Sequence, residues 1–278
     1  LASPGRLDDC LYAIQQEQRQ GAVAAFFLQE HNLHPSTDGA TVRKAGARYG
    51  LLWLAGYKLA SDPRTKGHGT AIVIPYDSIE LKQGESRHEA IRRIQATRQA
   101  AKGGRATTAV TLVGGRTTRL TAAYAPTGTE ITSRPDFFKM KLAPYVTPST
   151  VLGIDANCVP DPVLDVNRPA VESEYDNRGA LELNDLVDSR HLIDVAREQL
   201  GLDRFYTAHH AVAAGITEGG PEGARARLDG FWRSVSQAAR FSPVQRSPWD
   251  VWLGTWSLDH NPAYLAFDAI SRIASPYQ

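Results

Sequence analysis

The sequence predicts an α/β fold, and three observations carry that reading. Short apolar runs alternate along the chain with segments of helical periodicity. Ser86-x-x-Glu89 is a capping-box pattern ahead of Ile91 and Ile94, which marks a helix start. Gly114-Gly115 separates the strand-like runs Ala106–Val113 and Arg116–Tyr124, as a two-residue hairpin turn does.

The elements follow in order. Leu7, Cys10, Leu11 and Ile14 fall at i, i+3, i+4 and i+7, an amphipathic helix behind Ser3-Pro4. Ala22–Gln29 reads as a buried strand that delivers Gln29-Glu30 at its end, and Tyr49–Ala55 and Thr70–Tyr76 read as further strands. The helix opened at Ser86 is expected to stop at Gly103-Gly104, since glycine ends helices in the left-handed conformation. Thr150–Ile154 is a short strand leading into Asp155-Ala156-Asn157, and Ala180–Ser189 is helical. Arg227–Ser234 and Ala263–Phe267 are late strands, and the Gly-rich stretch Ala214–Ala224 is a loop. No repeat or linker divides the chain, so 1–278 reads as one domain.

Composition bounds the function classes. At 278 residues with 42% hydrophobic and 22% charged residues, the chain can bury a core without disulfide or metal staples. No apolar run approaches ~18 residues, which excludes an obvious membrane helix. The two cysteines, Cys10 and Cys158, read as free thiols of a reducing compartment. Net charge is +1, but it is unevenly spread. Residues 1–150 hold 20 Lys+Arg against 12 Asp+Glu (+8), leaving 11 against 18 (−7) for residues 151–278. Between 87 and 119 stand Arg87, Arg92, Arg93, Arg98, Lys102, Arg105, Arg116 and Arg119 against Glu89 alone. Such a stretch is a candidate contact for a phosphate-rich partner, or a solvated helix face.

Four strand ends carry acid, base or donor groups: Gln29-Glu30 with His31, Tyr124 with Pro126, Asp155 with Asn157, and Asp259-His260. Arg227 and Asp229, two apart in a strand-like run, are expected on one face. Loops at one end of the strands build the site in α/β sheets. Each piece has a plain alternative: Asp155 and Asn157 suit a turn, Tyr124 a half-buried strand, and Arg227 with Asp229 a surface ion pair.

Taken in order, Phe27-Leu28-Gln29-Glu30-His31, Gly69-Thr70-Ala71-Ile72-Val73, Tyr124-Ala125-Pro126, Gly153-Ile154-Asp155-Ala156-Asn157, Arg227-Leu228-Asp229 and Leu258-Asp259-His260 resemble the motifs of the endonuclease/exonuclease/phosphatase superfamily. That superfamily includes exonuclease III, abasic-site endonucleases and deoxyribonuclease I. The finer likeness is to the endonuclease domain of non-LTR (LINE-type) retrotransposon polyproteins. It rests on Phe137-Phe138, Thr147-Pro148-Ser149, Asn157-Cys158-Val159, Asp161-Pro162 and Leu192-Ile193-Asp194-Val195. Departures are Ile154 inserted before Asp155, Ala156 for an aromatic residue, Leu258 for a serine, and Gly230 for the aromatic after Asp229. The family's first strand has no counterpart. The chain is therefore expected to be N-terminally truncated and cut from a longer polyprotein.

The resemblance implies a four-layer α/β sandwich, two packed mixed sheets flanked by helices. It implies a Mg²⁺-dependent (Mn²⁺ possible) phosphodiester hydrolase that nicks DNA, leaving a 3′-hydroxyl for target-primed reverse transcription in the nucleus. Its partners would be DNA and the other domains of the polyprotein, including a reverse transcriptase, with no membrane. By residue, Glu30 and Asp259 would serve the metal, and Asp155 would be the general base for water. Asn157 would orient that water, and His260 would bind the scissile phosphate. Asp229 would hold His260 in one tautomer, and Tyr124 would hydrogen-bond a phosphate oxygen. Arg92, Arg93 and Arg98 would contact the DNA backbone, and the loops at 31–48 and 208–224 would read DNA shape. An abasic-site repair endonuclease, a phosphatase of the same fold and a catalytically degenerate DNA-binding remnant are the alternatives.

Overall fold

Two β-sheets lie face to face in the computed structural model, with helices against both outer faces. It describes residues 4–20, 23–34, 39–57, 69–166, 177–203, 208–209, 225–235, 245–246 and 263–264. The smaller sheet has the order β1-β3-β2, from β1 (Phe26–Leu28), β2 (Leu51–Gly56) and β3 (Thr70–Pro75), and is antiparallel throughout. The larger is mixed, with the order β4-β5-β6-β7-β11-β8. Its strands are β4 (Gln99–Ala100), β5 (Ala106–Val113), β6 (Arg116–Tyr124), β7 (Thr150–Asp155), β8 (Leu192–Asp194) and β11 (Asp229–Ser234). Among the described residues only β6 and β7 run parallel in it, joined by α4 (Arg134–Asp136) and a π-helical stretch, Phe137–Leu142. The pairs β9 (Ala208–His209) with β10 (Arg225–Ala226), and β12 (Gln245–Arg246) with β13 (Ala263–Tyr264), stand apart from both sheets.

Side-chain alternation sorts the core into three layers. Leu52, Leu54, Ile72 and Ile74 of the small sheet meet Ala109, Leu120, Ala122 and Val151 of the large one between the sheets. Ala90 and Ile94 of α3 (Arg87–Ala96) join that layer. The opposite residues Leu51, Trp53, Ala55, Ala71 and Val73 pack under α1 (Pro4–Gln20) and α2 (Gly39–Arg48), through Leu7, Cys10, Leu11, Ile14, Val42 and Ala45. Leu152, Ile154 and Trp232 pack outward under Phe137, Phe138 and α5 (Ala180–Ser189). The result is the four-layer sandwich expected. Truncating a fully buried member such as Ile72 costs about 2–5 kcal/mol, because transfer and cavity terms add.

Two glycines set how closely parts approach. The ring of Phe27 stands 2.6 Å from where a Cβ on Gly153 would be, so the small sheet nests on the large one at this point. Phe27 also meets Phe231 edge to face, with centroids 5.9 Å apart. Gly114 and Gly115 have φ of +58° and +73° and form the hairpin turn expected.

The capping box at Ser86 and Glu89 forms as the sequence indicates, with both reciprocal bonds present. The helix it opens ends earlier than expected, at Ala96. Thr97 closes it and β4 follows before Gly103-Gly104 is reached. The early run expected over 22–29 is a strand only at Phe26–Leu28. The segment expected to be a shape-reading loop at 31–48 contains α2, which packs Val42 and Ala45 into the core. The other expected loop lies outside the described residues except for Ala208–His209. Arg227 and Asp229 do not share a face. β11 begins only at Asp229, so alternation does not extend back to Arg227, whose guanidinium lies 3.5 Å from a Cβ on Gly230, on the opposite face.

Candidate active site

Three neighbouring strands bring Tyr124, Asp155 and Asp229 into one row. Tyr124 ends β6 and Asp155 ends β7, and they are partners in the parallel register. Asp229 opens β11 and is the antiparallel partner of Asp155. Paired residues share a face. Here it is the inter-sheet face, the one that Leu120, Ala122, Val151 and Phe231 also occupy. The row therefore sits at the end of the sandwich, beyond Phe27. The Ala156 N–H donates to the Leu228 carbonyl at 2.8 Å, which makes Asp155 and Asp229 a non-hydrogen-bonded pair. In such pairs the Cα atoms are ~4.5 Å apart and side chains approach most closely.

Glu30 reaches the row from the other sheet. It follows β1 in the left-handed conformation, φ +51°, unusual for a glutamate. The Asn32 side-chain amide donates to the Glu30 carbonyl at 2.8 Å and supports that turn. The Glu30 carboxylate acts on the Tyr124 phenol from the other sheet through its negative charge. Burial, then the neighbouring Glu30 carboxylate, then the negative charge of Asp155 push the phenol pKa above its usual range, against a smaller opposing effect of Arg105. Tyr124 is thus held protonated, a donor rather than an acceptor.

The Asp155-Ala156-Asn157 segment is both a turn and a clamp. Asp155 Oδ1 accepts from the Asn157 N–H at 3.0 Å, an Asx turn, and Asn157 takes φ +49°, which asparagine tolerates. Asn157 Nδ2 donates to the Ala125 carbonyl at 3.0 Å, and the Ala125 N–H donates to the Asp155 carbonyl at 2.9 Å. The turn chemistry legible in the sequence is the device that locks the Tyr124 and Asp155 strand ends together.

Arg105 and Arg134 brace the row, a place the sequence does not indicate for either. The Arg105 guanidinium lies 5.2 Å from the Tyr124 ring centroid and pairs with Glu130 at 2.5 Å. Arg134, 1% exposed, donates to the Pro126 carbonyl at 2.9 Å and the Arg178 carbonyl at 3.0 Å. In the sequence Arg105 stands in the basic stretch 87–119, and Arg134 only in the basic half. His31 goes the other way. Its Nδ1 accepts from the Leu33 N–H at 3.0 Å, so Nε2 carries the proton and donates to the Gly56 carbonyl at 3.0 Å. This imidazole is a neutral structural element.

Asp259 and His260 lie outside the described residues. Of the three arginines expected to meet DNA, Arg92 is exposed. Arg93 is engaged by Glu85 through bonds of 2.7 and 2.9 Å, and Arg98 donates to the Ala55 carbonyl at 2.6 Å. Burial pushes the Cys158 thiol, one residue past Asn157, up to about 12, and Cys10 likewise, so both are inert.

The donors gathered here, from Glu30, Tyr124, Asp155 and Asp229, are all oxygens. Hard donors fit Mg²⁺ or Mn²⁺ and not a zinc set of thiolate and imidazole. Among the described residues no three His, Cys, Asp or Glu side chains form a metal-holding group. Mg²⁺ requires fewer protein ligands, since one or two carboxylates suffice when water and phosphate complete its shell.

No family model and no curated protein matches the chain. Solved structures do. An AP endonuclease from Archaeoglobus fulgidus aligns with TM-score 0.61 and 16% identity, over 94% of this chain and 95% of that one. The AP endonuclease LMAP from Leishmania major gives 0.65 and 14%, over 95% and 84%. The endonuclease domain of TRAS1, a telomere-specific non-LTR retrotransposon, gives 0.54 and 12%, over 94% and 92%. At these identities the likeness establishes the fold, and it is the one the sequence motifs implied. Among the described residues no helix is long and apolar enough to cross a membrane.

Proposed function

We propose that this chain is a divalent-metal-dependent phosphodiester hydrolase acting on DNA. The observation that carries the reading is the row Tyr124–Asp155–Asp229 on one sheet, met by Glu30 from the other. Hydrolysis of a phosphodiester needs a base for water, donors for the charge that develops on phosphorus, and a counter-charge. Asp155, 6% exposed and held by its turn, is the base. The protonated Tyr124 donates to a phosphate oxygen, and Asn157 orients the attacking water. Asp229 faces this group and orients His260, which binds the scissile phosphate. Glu30, with Asp259, holds Mg²⁺ or Mn²⁺, which supplies Lewis-acid stabilisation of the phosphate when bound.

The finer reading is a nick in intact duplex that leaves a 3′-hydroxyl for target-primed reverse transcription, within a nuclear retroelement polyprotein that also carries a reverse transcriptase. The likeness to the TRAS1 domain and the motifs at 137–162 support it. A second reading, abasic-site repair, is favoured by the likeness to two AP endonucleases. Two duplexes, identical but for one abasic site, separate them when incubated in Mg²⁺. Comparable cutting of both supports the retroelement reading, and preference for the abasic duplex by ~100-fold or more supports repair. No metal-dependent cutting of either rejects the hydrolase.

A further inference from the structure

Behind the sheet, on the face away from the row, the Arg227 guanidinium is gripped from two sides. Its Nε and Nη2 donate to the two oxygens of Asp165 at 2.8 Å each. Its Nη1 and Nη2 donate to the two oxygens of Asp194 at 3.1 and 2.7 Å. Arg197 adds a 3.0 Å bond to Asp165, and the Arg227 N–H donates to the Asp165 carbonyl at 2.8 Å. Asp194 also caps α6 (Val195–Leu200) by accepting from the Ala196 and Arg197 N–H groups. Arg227 is 1% exposed and Asp165 fully buried. Paired forks of this kind fix geometry in plane and distance more tightly than a point charge does.

Three segments meet there. Asp165 closes the turn that follows Asn157, Asp194 ends β8, and Arg227 stands two residues before Asp229. The clamp thus joins both strands that carry the paired carboxylates, through the chain leaving Asp155 and the chain entering at Asp229. Because the guanidinium lies on the Gly230 face, it acts on Asp229 from behind and does not line the row.

We propose that Arg227 is a positioning residue: by clamping Asp165 and Asp194 it fixes the entry of β11, and with it the approach of Asp229 to Asp155. This rests on reading that row as the hydrolytic site. Remote residues can matter this much because a misplacement of about 1 Å costs on the order of 100-fold in rate.

The test compares Arg227→Lys, which keeps the charge but cannot fork two carboxylates, with Asp194→Asn, which keeps the helix cap but weakens one fork. Arg233→Lys is the control: Arg233 is equally buried on β11, pairs with Glu198, and lies farther from Asp229. Three quantities are measured on the full chain: plasmid-nicking kcat and KM in Mg²⁺, and the amide proton shift of Ala156, whose N–H donates to the Leu228 carbonyl. Arg227→Lys and Asp194→Asn are expected to lower kcat by roughly 10- to 100-fold, leave KM unchanged and move the Ala156 signal, while Arg233→Lys does none of these. The proposal is overturned if the folded variants keep wild-type kcat and Ala156 shift, or if Arg233→Lys reproduces their losses. Asp194→Asn decides the matter if Arg227→Lys does not fold. The amide signal needs no activity. If the wild-type chain does not nick DNA, a moved signal upholds the clamp while the hydrolase reading fails, and an unmoved one overturns the clamp as well.

Discussion

Asp155 and Asp229 stand directly opposite each other as a non-hydrogen-bonded pair across β7 and β11. Two carboxylates at this spacing repel, and a fold seeking only stability would not place them so. The pair makes sense where a cation, a shared proton or a cationic side chain belongs beside it.

Asp229→Asn should therefore lower activity while leaving the fold intact. Relief of repulsion and loss of the carboxylate's own partners oppose each other, so the thermal midpoint should change little, while Mg²⁺-dependent nicking falls by at least ~10-fold. A variant that loses both stability and activity would show the carboxylate to be structurally required instead.

Tyr124 should titrate late. Its phenol is held above the ordinary range by burial and by Glu30, so in the native protein it stays neutral past the pH at which a free phenol ionises. In the unfolded chain it ionises near 10. The stability this group contributes is complete below pH 10 and is lost as pH rises toward the folded value. Absorbance titration at 295 nm should show one fewer late-ionising phenol in Tyr124→Phe than in wild type. Unchanged late absorbance would place the phenol in solvent.

Neither thiol should react in the native state. Cys10 and Cys158 are buried with pKa values pushed up to about 12. At pH 8 a disulfide reagent should label neither until denaturant is added. Rapid labelling of one thiol in the folded protein would contradict the burial of its segment.

The expected DNA-facing arginines should separate. Arg92→Glu, exposed on α3, should reduce the salt slope of DNA binding by about 1 if it meets a phosphate. Arg93→Glu should act mainly on stability, because its hydrogen bonds hold the Glu85 carboxyl down at about 2. That pair contributes fully above the unfolded glutamate value, and its contribution is lost as pH falls toward 2. The acid-unfolding midpoint of Arg93→Glu should accordingly rise. An unchanged slope for Arg92→Glu returns α3 to an ordinary solvated face.

Much of this was legible in residues whose chemistry is local. The Ser86 box, the Gly114-Gly115 turn and the Asp155–Asn157 turn each depend on neighbours within four positions, and each forms as read. The short strands β4 and β8 were not, because two or three residues carry no period. The end of α3 was misplaced because a threonine cap, Thr97, acts before the glycines do. The facing of Arg227 was missed for a different reason. Its partners, Asp165 and Asp194, are 62 and 33 residues away, and no spacing rule encodes such a pairing. The same holds for Arg105 over Tyr124, which only the β5–β6 register brings together.

The most direct measurement is relaxation of supercoiled plasmid by the wild-type chain and by Asp155→Ala, each with Mg²⁺ and with chelator, at matched thermal stability. Wild type should give open circles in Mg²⁺ only, and Asp155→Ala should lose at least ~100-fold of that activity, with His260→Ala falling as far. Nicking by Asp155→Ala at the wild-type rate, or nicking that persists in chelator, would contradict the proposed function.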